Sequence, residues 1–263
     1  MIRTAIIAAM PGELKPLVRG WRHEKRNRVD IWRWSYGAGE WVAACAGAGQ
    51  NAATRALAAI EKDGPVASVV SVGWVGALSA AYEPGQAYRV AGVIDTLTGE
   101  RFRVPQLPSP RPKDGANAGR TASPQSDIWL ATSAKVADAA EKQRLASTYR
   151  AGLVDMEAAA IARLAGMRGV SFQCIKGVSD GVDDRLPDFN PFLTRDGQFQ
   201  TIRFTFFALF HPGHWSALKQ MGENSRKASR SMAQAVLELL DPQGSIHTPR
   251  FTHNDQEGTI RKE

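Results

Sequence analysis

Three carboxylates in this sequence each follow directly on a short apolar run. Glu13 stands just past 4–9 (TAIIAA) in the turn Met10-Pro11-Gly12-Glu13, Glu157 follows 151–154, and Asp180 follows 170–178. A carboxylate can take a proton from a weak nucleophile, and a positioned acid assists a poor leaving group. Three such groups brought together could therefore run acid–base chemistry. Each also has an ordinary explanation. Glu157 near a helix start can complement the macrodipole, and Asp180 before Gly181 can close a turn. Repetition of the pattern from distant parts of the chain is what points to a site.

These groups must be positioned by the elements around them. The run 4–9 reads as a buried strand ending at the turn that bears Glu13. Two aromatic and β-branched stretches, 31–36 and 41–46, flank Gly37-Ala38-Gly39-Glu40 and read as a hairpin, and an alanine-rich helix follows over 52–62. Strand 67–72 runs into a glycine turn, Gly73-Trp74-Val75-Gly76, and 88–96 adds another strand. Helix 134–148, strand 151–154, helix 158–167 and a central strand 170–178 come next, and 216–240 is a long helix stopped by Asp241-Pro242. Alternating strands and helices, with no repeat and no heptads, predict an α/β fold of three layers, α/β/α, around a mixed, largely parallel sheet. In such sheets ligands gather at the carboxyl ends of strands, where all three carboxylates are expected. One domain is predicted over 1–241, with an exposed Pro/Gly/Ser/Ala-rich loop at 106–126 and a polar, disordered tail at 242–263.

With 263 residues, 43% of them hydrophobic, the chain can bury one substantial core. No apolar run approaches the ~18 residues of a membrane span, and the start lacks a basic-then-apolar export signal, so a cytoplasmic protein is expected. Cys45 and Cys174 sit inside apolar runs and read as buried thiols. They and five scattered histidines give no ligand spacing, whereas structural zinc takes about four ligands in close pairs, so no metal or other cofactor is expected. The net charge of +7 could draw an anionic partner, but of its cations Arg101, Arg103, Arg111, Lys113 and Arg120 fall in or beside the 106–126 stretch and Arg250, Arg261 and Lys262 fall in the tail, which reads as solvated charge. No aromatic-interleaved basic motif or recognition helix accompanies it, which argues against nucleic acid.

Four ordered stretches carry a resemblance. Ile6-Ile7-Ala8-Ala9-Met10-Pro11-Gly12-Glu13, the run 70–78 with Pro84-Gly85 after it, Val154-Asp155-Met156-Glu157 leading into Ala158-Ala159-Ala160, and Ile175-Lys176-Gly177-Val178-Ser179-Asp180 span about residues 4–184. Together they resemble the nucleoside phosphorylase and methylthioadenosine/S-adenosylhomocysteine nucleosidase superfamily. The resemblance implies cleavage of the N-glycosidic bond of a purine nucleoside by a homodimer. Asp180 would engage the base at N7, with Ser179 holding it. Glu157 would accept the ribose hydroxyls and Met156 would pack on the sugar. Glu13 matches the acidic residue that activates water, and Gly73 and Trp74 lie at the sugar end of the pocket. A phosphate nucleophile would want several arginines or serines aimed at a dianion, and no such cluster stands at the matched turns, so hydrolysis is expected over phosphorolysis.

Trp74 departs from the family pattern, which has a small or hydroxyl residue there. An indole at that point either reshapes the sugar end of the pocket or packs as a wall. A non-catalytic nucleoside-binding protein is therefore the competing reading. The stretch 204–215 is unusually apolar and is flanked by Arg203, Lys219, Arg226, Lys227 and Arg230. It reads as a dimer interface or pocket cap, or as a membrane-surface contact over 203–230. Ala140-Glu141-Lys142, the Met156-Glu157 motif and Leu186-Pro187 also look like the hopanoid-associated branch of the superfamily, whose members are implicated in removing adenine from a lipid-linked adenosine.

Overall fold

The structure, a computed structural model, describes residues 2–105, 127–194 and 196–242. The loop expected at 106–126 and nearly all of the tail expected at 242–263 lie outside the described residues. In chain order the elements are β1 (Ile2–Ala8), α1 (Pro11–Leu14), β2 (Arg22–Arg26), β3 (Val29–Tyr36), β4 (Gly39–Cys45), α2 (Gln50–Glu61), β5 (Ser68–Ala77), β6 (Ala87–Arg89), β7 (Gly92–Asp95), β8 (Arg101–Arg103) and β9 (Trp129–Thr132). There follow α3 (Ala139–Tyr149), β10 (Leu153–Asp155), α4 (Ala158–Arg168), β11 (Ser171–Asp180), a 3-10 turn at Asn190–Phe192, α5 (Thr201–Phe210), a second such turn at Pro212–His214, and α6 (Trp215–Leu240).

One mixed sheet organises the fold. Its order is β2-β3-β4-β1-β5-β10-β9-β7-β8, with β11 joining β5 and β6 joining β11. The ladders joining β4, β1, β5 and β11 are parallel, as are those joining β7, β9 and β10. Antiparallel pairing marks β2-β3-β4, β7-β8, β6-β11 and the meeting of β10 with β5.

β1 shows why the central strands read as continuous apolar runs: both faces are covered. Ala5 and Ile7 join the cluster under α2 and α4, while Ile6 and Ala8 join the opposite cluster with Leu14, Met232, Ala233 and Val236 of α1 and α6. The helices thus form the two outer layers of the expected α/β/α arrangement.

Three expectations shift. The stretch 88–96 is two strands, because β6 pairs with β11 whereas β7 pairs with β8 and β9. The helix expected from 134 starts at Ala139, where the Asp138 side chain accepts the Glu141 N–H as an N-cap. The glycines read as a turn after 67–72 lie inside β5, which continues to Ala77. Pairing of β5 with β1 ends at Ser71 and that with β10 begins at Gly76, so this edge of β5 is open between them.

Candidate active site

Glu13 fills that opening. It sits in the short helix α1, where Pro11 supplies the first-turn backbone angle, and it is 5% exposed. Three main-chain N–H groups hold its carboxylate: Ala9 and Met10 donate to Oε2 and Trp74 donates to Oε1, each at 2.8 Å. Burial raises its pKa, against the lowering effect of these hydrogen bonds and of the Lys176 charge. Gly73 keeps the space clear. A Cβ there would stand 3.2 Å from Glu13 Oε1 and 3.6 Å from Lys176 Nζ, at a φ of +155°.

Lys176 lies opposite Gly73 in the β5–β11 register. Its Nζ is 2.9 Å from Asp155 Oδ2 and donates to Ser71 Oγ at 3.1 Å. Asp155 also accepts from Thr132 Oγ1 at 2.7 Å and from the Ala158 N–H at 3.0 Å, which ties the pair to the start of α4. Burial works against the ammonium, but the negative charges of Asp155 and Glu157 outweigh it and hold the Lys176 pKa above its usual range.

Glu157 is the N-cap residue of α4, and its Oε1 accepts the Gly49 N–H at 2.6 Å across 108 residues of sequence. Burial, then the Asp155 charge, push its pKa up to about 7, against Lys176 and the Gly49 hydrogen bond. Met156 and Gly49 help line a cleft of about 1090 Å³, together with Gln50, Ser133, Asp138 and Glu141.

Asp180 ends β11 at a register shift. Its Oδ1 accepts from Ser179 Oγ at 2.6 Å and its Oδ2 from Lys142 Nζ at 2.5 Å. Gly76 makes room for this pair, since a Cβ there would stand 3.1 Å from both Asp180 Oδ2 and Lys142 Cε. The two glycines of β5 therefore mark two centres, three residues or about 10 Å apart along an extended strand. Glu13, Glu157 and Lys176 interact around Gly73, and Ser179, Asp180 and Lys142 meet at Gly76.

The Trp74 indole is turned onto the helices. Its Nε1 donates to Ser229 Oγ at 2.9 Å and to Ser225 O at 3.1 Å, and its ring lies against Gly12. Its main-chain N–H, not its ring, meets Glu13. Cys45 and Cys174 are buried, and burial pushes each thiol up to about 12.

Sequence reasoning missed Lys142, Lys176 and Asp155 as parts of these centres. Lys176 left a signal, a lone cation inside the otherwise apolar run 170–178. Lys142 stands in the Ala140-Glu141-Lys142 stretch that carries the hopanoid-associated resemblance, but nothing in that stretch pairs it with Asp180.

The solved structures that match share the fold at low identity. The 5′-methylthioadenosine nucleosidase of Arabidopsis thaliana is 14% identical, with a TM-score of 0.66 over 94% of this chain and 97% of that one. The 5′-methylthioadenosine/S-adenosylhomocysteine nucleosidase of Helicobacter pylori is 15% identical, with a TM-score of 0.64 over 92% and 98%. The futalosine hydrolase of the same organism is 14% identical, with a TM-score of 0.64 over 92% and 98%. No match was found among curated proteins. The family model described as the phosphorylase superfamily matches residues 3–203, which takes in every element from β1 to β11 and both centres on β5. The chain is an enzyme that belongs to the phosphorylase superfamily.

Proposed function

We propose that the enzyme hydrolyses the N-glycosidic bond of a purine nucleoside, with adenine as the base, and needs no cofactor. The observation that carries this reading is the Glu13 carboxylate, buried, held by three main-chain N–H groups and left without a directly bonded cation among the described residues. A carboxylate fixed this way suits a water nucleophile. A phosphate dianion would need free cations beside it, and Lys176, the cation whose charge reaches Glu13, is committed to Asp155 and Ser71. Glu13 takes the water proton, Glu157 accepts the sugar hydroxyls beside Met156 and Gly73, and Asp180, held by Ser179, engages the base. Trp74 serves through its main-chain N–H.

The test is chromatography of free base released from adenosine, methylthioadenosine, S-adenosylhomocysteine and a 5′-alkyl adenosine, with and without phosphate. Release without phosphate is the expected result. Release that requires phosphate would make the enzyme a phosphorylase, and binding without release would make it a nucleoside-binding protein.

A specific observation also favours a peripheral contact with an anionic membrane surface. Phe204 and Phe207 of α5 pack against Phe189, Phe192 and Phe199, yet the helix turns Ile202, Phe206, Leu209 and Phe210 to solvent on its other side. Five basic residues and one acidic residue lie over 203–230. No helix among the described residues is long and apolar enough to cross a membrane, so the contact proposed is a surface one. A homodimer is proposed on the family resemblance and is checked by sedimentation equilibrium.

A further inference from the structure

We propose that Asn190 is a gate on the cleft: its carboxamide occupies the main-chain donor and acceptor of Val136 and must give them up to the amino edge of the base before the base can enter. This rests on the reading that the base is adenine.

The Val136 N–H donates to Asn190 Oδ1 at 2.9 Å, and Asn190 Nδ2 donates to Val136 O at 3.0 Å, a two-point clasp across 54 residues of sequence. Both residues line the same cleft as Met156 and Gly49. Val136 lies in the link from β9 to α3, beyond the carboxyl end of a strand that pairs in parallel on both sides, which is where ligands of such sheets gather. Among the described residues no main-chain group takes the Val136 N–H or C=O, so the side chain of Asn190 stands in that place.

The match is one of chemistry as well as position. A carboxamide presents an acceptor beside an amino donor. The edge of a 6-aminopurine presents the same array, a ring nitrogen beside the exocyclic amine, whereas a 6-oxopurine has an acceptor where the amine would be. Asn190 therefore competes for the groups that an adenine edge would use.

The gate can open without stranding a buried polar group. Asn190 is half-buried, so water can replace Val136 at its carboxamide. Asp188 Oδ1 accepts from Asn190 Nδ2 at 2.8 Å and from the Asn190 main-chain N–H at 2.9 Å, and it can keep its hold throughout. The turn beneath stays anchored, because Phe192 is buried against Phe204 and Phe207 of α5. Opening is then a change of rotamer in one side chain. Its cost appears as weaker apparent binding, since only the open fraction can take the base.

The experiment measures binding by calorimetry to the wild-type enzyme, Asn190→Ala and Asn190→Ser. The ligands are formycin A, a C-nucleoside with an adenine-like edge whose base cannot leave, and its oxo counterpart formycin B. Neither replacement side chain is long enough to keep both bonds to Val136. Loss of a two-bond competitor is expected to tighten formycin A by about 5–100-fold in either variant. Unchanged or weaker binding of formycin A by both variants would overturn the proposal, since cutting back a residue that only shapes the turn, or that itself holds the base, does not raise affinity. A wild-type enzyme that binds formycin B more tightly than formycin A would instead sink the adenine reading, and the gate with it.

Discussion

Gly76 of β5 stands where a Cβ would press within 3.1 Å of Asp180 Oδ2 and of Lys142 Cε and within 3.3 Å of Val154 Cγ1. The side chain is missing because the ion pair needs the space. Gly76→Ala should therefore cost about 1–3 kcal/mol through overpacking, a fall in melting temperature of roughly 2–12 °C for a chain of this size. It should also lower kcat by displacing Asp180. A thermal melt and initial rates check this, and an alanine variant equal to wild type in both would show that the pair does not need the space.

Glu13 is the proposed base for water activation. Glu13→Gln should lower kcat by about 10²–10⁴-fold while leaving nucleoside affinity within about tenfold, measured by calorimetry on the variant. A parallel loss of binding would place Glu13 in substrate recognition instead.

Glu157 makes stability and activity depend on pH in opposite directions. Its folded pKa, about 7, lies above the ordinary 4.5, so folding takes up a proton between these values. Its contribution is full below pH 4.5 and is lost as pH rises through about 7. Denaturant melts across that window should show stability falling with pH, and Glu157→Gln should flatten the fall. In the proposed reaction the carboxylate accepts hydrogen bonds from the sugar hydroxyls, so kcat/KM should decline as pH drops through about 7.

Trp74 should matter more to the fold than to substrate affinity. Trp74→Phe removes the donor to Ser229 Oγ and Ser225 O but keeps the main-chain N–H on Glu13. A loss of about 1–3 kcal/mol in stability is expected, with KM within about threefold of wild type. A large rise in KM would place the indole against the sugar.

The exposed face of α5 predicts lipid binding that depends on apolar area and on charge. The protein should sediment with vesicles containing phosphatidylglycerol, and Phe206→Ser with Phe210→Ser should cut the partition coefficient by about tenfold or more. Unchanged sedimentation in the double variant, or a loss of dimer without loss of lipid binding, would contradict the assignment.

The sequence made the core strands and the three carboxylates legible because burial on both faces leaves continuous apolar runs, and each run ends at a charged residue. The strand β2, Arg22–Arg26, was illegible for the complementary reason. All five of its residues are polar, and it is held by pairing with β3 and by ion pairs such as that of Glu24 with Arg33. Gly73 and Gly76 were misread as a turn because glycine usually marks one. Here they make space for side chains that arrive from other strands and helices, which is a tertiary fact. Lys142 shows the same limit, since nothing local says that its stem points inward to Asp180.

In the proposed hydrolysis, water activated by Glu13 attacks the sugar carbon. Turnover of a purine nucleoside in ¹⁸O-labelled water, followed by mass spectrometry of the released sugar, tests it most directly. One labelled oxygen is expected in the sugar of every turnover, with a rate unchanged by phosphate. An unlabelled sugar phosphate, formed only when phosphate is present, would contradict it.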